Sequence, residues 1–179
     1  MPRIVLCRHA ATDHNLAMRY LSTSDLPLGA HGRAQCETLR GAIGSLVFER
    51  CLVSPMRRCL ETREIVAASI PFAIEPALRE VDFGSWEGRT PEWVERNDPE
   101  GLARRRSDPV NFEPPGGESI ARAALRIEPL AQRLRDEPQP TLVIGHRISL
   151  GILERLLRGL PLDARITGLE PAEFRAVRE

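Results

Sequence analysis

Two apolar runs in this chain end in the same way. Ile4-Val5-Leu6-Cys7 stops at Arg8-His9, and Thr141-Leu142-Val143-Ile144-Gly145 stops at His146-Arg147. Each run reads as a buried strand that delivers a histidine and an arginine to its carboxyl end. Open α/β sheets bind ligands at that edge. A fixed cation beside an imidazole, supplied twice, suits a phosphoryl group. The guanidinium fork meets the oxygens, and a neutral imidazole can attack the phosphorus.

Further groups of the right type follow. Arg57 and Arg58 fall in Ser54-Pro55-Met56-Arg57-Arg58, at the start of a helix that follows a strand. One of them can turn back over the sheet edge, where the helix N-terminus also favours an anion. Glu80, Asp82 and Glu87 lie close to Phe83 and Trp86. A carboxyl group buried against such rings would serve as a general acid.

Composition narrows the chemistry. The 179 residues carry 25 basic and 25 acidic side chains, so no net field favours nucleic acid or an anionic membrane. Every basic residue is Arg; without lysine, a Schiff-base mechanism is excluded. No H-E-x-x-H or other spaced ligand cluster points to a metal. The four cysteines, Cys7, Cys36, Cys51 and Cys59, form no C-x-x-C pair and read as buried free thiols of a reducing compartment. The first strand begins almost at once, and no apolar run approaches 18 residues. A cytoplasmic protein without a membrane span is expected.

The elements that position these residues alternate. Strands are predicted at 3–8, 47–53, 72–76 and 141–145, with an edge strand at 173–178. Helices are predicted at 30–44, from Ser54 to about 68, at 119–135 and at 148–157. In the second of these, Ser54 would be the N-cap and Pro55 the first helical residue. Pro129 should kink or split the third. Residues 79–118 carry many prolines and glycines and read as loops and short helices forming a cap over the strand ends. The expected fold class is α/β, a three-layer sandwich in which a mostly parallel sheet is covered by helices on both faces, as one domain spanning 1–179.

Taken in order, Arg8-His9-Ala10-Ala11-Thr12, Ser54-Pro55-x-x-Arg58-x-x-x-Thr62, Glu80-x-x-Phe83-Gly84-x-Trp86-Glu87-Gly88 and the strand ending in His146 resemble the histidine phosphatase superfamily, the phosphoglycerate-mutase-like proteins. Asp25-Leu26-Pro27-Leu28, Gly32 and Gln35 are also similar. The resemblance implies that His9 is the nucleophile that becomes phosphohistidine. Arg8, Arg58 and His146 would surround the phosphoryl oxygens, and Glu80 would protonate the leaving oxygen. Asn15, Ser22 and Thr23 would add hydrogen bonds to the phosphate. No metal or other cofactor is implied, since the cations are built in.

Two positions depart from the family pattern. Ala10 stands where glycine is common, and Arg147 follows the second histidine where Gly-Gly is frequent. Arg147 would either add a cation to the site or point to solvent. The resemblance implies a phosphomonoester phosphatase acting on a small phosphorylated metabolite and releasing inorganic phosphate, with a narrower likeness to the α-ribazole phosphatase type. The alternatives are a 2,3-bisphosphoglycerate-dependent phosphoglycerate mutase and a phosphate-binding protein without turnover. Arg104-Arg105-Arg106 reads as a solvated helix face or as a binder of a second anionic group. Dimers being the commonest soluble assembly, a homodimer is the oligomer to test for.

Overall fold

The computed structural model describes residues 3–163, 166 and 168–177. Five strands form one sheet in the order β3-β2-β4-β1-β5. They are β1 (Ile4–Arg8), β2 (Arg50–Val53), β3 (Phe72–Ile74), β4 (Thr141–Gly145) and β5 (Phe174–Ala176). The first four are mutually parallel, and β5 runs antiparallel to β1 at one edge. Arg178, the last residue of the predicted edge strand, lies outside the described residues.

Parallel strands covered on both faces bury every side chain. All five residues of β1 and all five of β4 are buried. Their side chains alternate between two cores. Ile4, Leu6 and Val143 pack with Ile127, Leu130 and Leu134 of α6 (Ile120–Asp136) and Leu150 and Leu153 of α7 (Arg147–Leu157). Val5, Cys7, Leu142 and Ile144 pack with Leu39 and Ile43 of α2 (Ala30–Ile43) and Cys59 and Val66 of α3 (Arg57–Val66). The three expected layers are therefore present.

A third apolar cluster joins Phe83, Trp86 and Val94 to Tyr20, Leu102 and Phe112. It anchors the proline-rich stretch, which folds as the helices α4 (Pro91–Asn97) and α5 (Pro99–Ser107) with a 3-10 turn at Gly84–Trp86.

All four cysteines are free and buried. Burial pushes the Cys36 thiol up to about 11, and those of Cys51 and Cys59 to about 12. Among the described residues no helix is long and apolar enough to cross a membrane.

Three local expectations are revised, and one element is added. β2 begins at Arg50 rather than residue 47, because its partner β4 begins only at Thr141, after Pro140. Val47 is exposed instead. Helix α3 begins at Arg57, with Met56 and not Ser54 at the cap. The Asp25 carboxylate accepts the Arg57 backbone N–H at 2.6 Å, and the Ser54 hydroxyl is used elsewhere. Helix α6 runs unbroken through Pro129, which lies on its exposed side, where water can take the carbonyl that proline leaves unbonded. Finally, a one-turn helix, α1 (Asp13–Leu16), follows the first strand, closed by a capping box between Thr12 and Asn15.

Candidate active site

The carboxyl ends of β1, β4 and β2 lie side by side. Arg8 is in register with Gly145, and Ile144 with Val53. The ladder continues past the strand ends, since His9 N–H donates to Gly145 O and Ser54 N–H to Ile144 O, both at 3.0 Å. His9, His146 and Ser54 are therefore held by the sheet itself. The two imidazole centroids are 5.1 Å apart, with the rings tilted by 64°.

His9 is buried, and its Nδ1 lies 2.7 Å from the Ala10 carbonyl oxygen. A carbonyl only accepts, so Nδ1 carries the proton and the lone pair resides on Nε2. Burial, then the charges of Arg58 and Arg8, hold the His9 pKa well below the ordinary histidine value. This is a neutral imidazole with one ring nitrogen free to attack.

Three groups fix the loop that carries it. Ala10 N–H donates to Thr62 Oγ1 at 3.1 Å and Ala11 N–H to Gln35 Oε1 at 3.0 Å. Gly32 lies against the same loop; a Cβ there would stand 2.0 Å from Ala11 O.

Two buried arginines flank His9. Arg8 donates through Nη1 to Leu169 O at 2.9 Å, and its Nε has no hydrogen-bond partner among the described residues. Arg58 is fully buried. It donates to Ser24 O and Ser22 O at 2.8 Å each and through Nε to His146 Nδ1 at 3.3 Å. Of its five N–H groups, two remain for a ligand. Since Arg58 can only donate, His146 Nδ1 accepts, and its Nε2–H donates to Ser54 Oγ at 2.8 Å. Burial and the Arg58 charge hold this ring neutral as well.

Glu80 caps the N-terminus of α7. Oε1 accepts from Val81 and Ser149 N–H at 3.0 Å, and Oε2 accepts from Ile148 N–H at 3.1 Å. Oε1 is filled by two donors, so Oε2 retains the position that can carry a proton. Glu80 also lines two clefts. One, of about 560 Å³, is shared with Arg8, Asn15, Tyr20, Phe83 and Arg105. The other, of about 670 Å³, is shared with Ser22, Thr23, Asp82 and Arg126.

A neutral imidazole with an unprotonated ring nitrogen, two guanidinium groups with unused donors and an adjacent carboxyl are parts that phosphoryl transfer would require. The sequence profile of the histidine phosphatase superfamily, branch 1, matches residues 4–177. The chain belongs to this superfamily. An adenosylcobalamin/α-ribazole phosphatase of Salmonella typhimurium is 31% identical over 89% of this chain and 81% of its own length. Phosphoserine phosphatase 1 of Hydrogenobacter thermophilus is 28% identical over 91% of this chain and 79% of its own. The solved structure of a mycobacterial glucosyl-3-phosphoglycerate phosphatase in complex with VO3 superposes with a TM-score of 0.86. It is 26% identical, covering 97% of this chain and 90% of that one.

The remaining candidates of this histidine phosphatase chain divide by position. Asn15 lines the first cleft, with Oδ1 occupied by Thr12, so only its amide N–H groups can reach a ligand. Ser22 is buried, and its hydroxyl donates to Glu87 Oε2 at 2.6 Å while accepting from Phe83 N–H. The structure thus gives the Ser22 side chain a supporting role, and its carbonyl holds Arg58. Thr23 is exposed at the second cleft. Arg57 points outward to Glu61, so Arg58 is the arginine that turns over the sheet edge. Arg147 lines the first cleft while bound to Glu170 at 2.7 Å. Arg105 and Arg106 line it too, whereas Arg104 sits over the Phe112 ring.

Sequence reasoning assigned no role at the site to Ser54, Thr62 or the Leu169 carbonyl, and it offered Glu87 only as one of three candidate general acids, whereas the structure has its carboxylate accept from Ser22 and Ser24. Ser54 and Thr62 stand inside the Ser54-Pro55-x-x-Arg58-x-x-x-Thr62 pattern, which was their signal. The Leu169 carbonyl carries none, because a backbone acceptor can come from any residue.

Proposed function

We propose that the chain is a metal-independent phosphomonoester phosphatase working through a phosphohistidine on His9. The observation that carries this reading is the His9 Nδ1 contact to Ala10 O, which leaves Nε2 as a free base beside Arg8 and Arg58. In the first step Nε2 attacks phosphorus, the bond to the leaving oxygen breaks, and Glu80 Oε2 gives that oxygen its proton. In the second, water attacks the phosphohistidine, Glu80 takes a proton from it, and the N–P bond breaks to release inorganic phosphate. Arg8 and Arg58 meet the charge on the equatorial oxygens, and His146 holds Arg58 in place.

The substrate is a small phosphorylated metabolite. An α-ribazole phosphate fits the first relative's activity and a cleft walled by Tyr20, Phe83 and Leu102. Residues 79–118 act as the cap of a single domain, Asn15 and the Thr23 segment bind at the phosphate rim, and the protein works in the cytoplasm.

The test is phosphate release from sugar phosphates, nucleotides, phosphoglycerates and α-ribazole phosphate in EDTA, for wild type and His9→Ala. EDTA-resistant release that disappears in His9→Ala supports the reading. Isomerisation of phosphoglycerate dependent on 2,3-bisphosphoglycerate, without net release, would replace it with the mutase.

A further inference from the structure

The turn after Leu169 brings a carboxylate to the phosphate pocket. Glu170 Oε1 lies 2.7 Å from Arg147 Nη1, and Oε2 lies 3.9 Å from Arg8 Nη1. The turn closes through Glu173 N–H to Glu170 O at 3.0 Å. Inside it, Ala172 has a φ of 61°, a left-handed conformation usually left to glycine. Strain of this kind persists only where the surroundings impose it. Here the surroundings are the nucleophile's own backbone: Ala172 N–H donates to His9 O at 3.3 Å, and Arg8 N–H donates to Glu173 O at 3.0 Å. Glu170 is therefore registered to Arg8 and His9 through backbone bonds, although it lies far from them in sequence.

We propose that Glu170 is an internal competitor for the phosphate pocket. Its carboxylate, shared between Arg147 and Arg8, occupies cationic capacity that inorganic phosphate would otherwise use, and so keeps the product weakly held. Arg147 complements it by anchoring the carboxylate on the cleft side of Arg8. The inference rests on the phosphatase reading for the meaning of phosphate as product. The Glu170 side chain is 66% exposed, so its effect is that of one partly screened charge and shrinks with added salt.

The test is isothermal titration of inorganic phosphate into wild type, Glu170→Gln and Glu170→Asp at low and high salt. Gln keeps the size and removes the charge; Asp keeps the charge. The expected result is phosphate binding about three- to five-fold tighter in Glu170→Gln at low salt, a smaller gap at high salt, and near-wild-type affinity in Glu170→Asp. Unchanged or weaker binding in Glu170→Gln overturns the proposal. Equal tightening in both variants also overturns it, since the turn and not the charge would then be responsible. The titration involves no turnover, so it decides Glu170 whether or not the ester panel supports hydrolysis. Circular dichroism confirms that each variant is folded.

Discussion

Ser54 Oγ accepts the Nε2 proton of His146 at 2.8 Å, across the carboxyl ends of β2 and β4. The bond fixes the tautomer of His146, which in turn presents Nδ1 to Arg58. Ser54→Ala leaves a buried N–H unpaired, at a cost of about 1–3 kcal/mol, and lets the imidazole turn. Steady-state kinetics should show kcat reduced more than KM is raised, with only a modest drop in melting temperature. Ser54→Thr, which keeps the hydroxyl, should restore part of the rate.

Stability should fall on the acid side of neutrality. His9 and His146 are both buried and both held below the ordinary value, so the folded state resists protons that the unfolded state takes up. Above the unfolded pKa of about 6.5 their contribution is fully present. As pH falls below that value it is lost at about 1.4 kcal/mol per group per pH unit, until the folded pKa is reached. Urea unfolding at stepped pH measures the slope, and His9→Asn should reduce it. For the same reason the acid limb of kcat/KM should lie well below pH 6.5, because His9 remains a free base there.

Glu87 bears on the site through Ser22 and Ser24. Its carboxylate accepts from Ser22 N–H, Ser22 Oγ–H and Ser24 N–H, and the carbonyls of those two residues hold Arg58. Glu87→Ala should lower stability by about 2 kcal/mol and reduce kcat/KM by displacing Arg58. Thermal melts and ester hydrolysis check the two effects separately. Glu87→Gln, which preserves an acceptor, should fall between.

Gly32→Ala should be poorly tolerated. Its Cβ would meet the backbone of Ala11, which cannot swing away as a flexible side chain would. A cost of about 1–3 kcal/mol is expected from overpacking, and activity should fall further than stability because the displaced loop carries His9. Gly41→Ala, with open space around its Cβ, is the matched control and should be neutral or stabilising.

The strands were legible because β1 and β4 are buried on both faces and therefore read as unbroken apolar runs. Their histidines stood out for the same reason: a polar residue directly after such a run marks a strand end. Ser54 was misread because Ser-Pro before a helix carries the pattern of an N-cap, and nothing local reveals that a histidine 92 positions away claims the hydroxyl. Of the two outcomes expected at Pro129, a kink or a split, the split does not occur, because Pro129 lies on the exposed side of the helix, where water can take the freed carbonyl. Glu170 could not be found at all, because its position depends on the antiparallel docking of β5 on β1.

The sealed thiols offer a way to watch the molecule breathe. Cys7, Cys51 and Cys59 lie on or against the strands that carry the reactive groups, and Cys36 lies on the helix packed over them. None is accessible in the native state. A thiol reagent in solution can therefore react only through openings of this half of the core, and its rate, site by site, reads out the free energy of those openings. Because Cys59 lies 3.6 Å from His146, its labelling would report how often the sheet edge beneath the candidate site comes apart, with no substrate present.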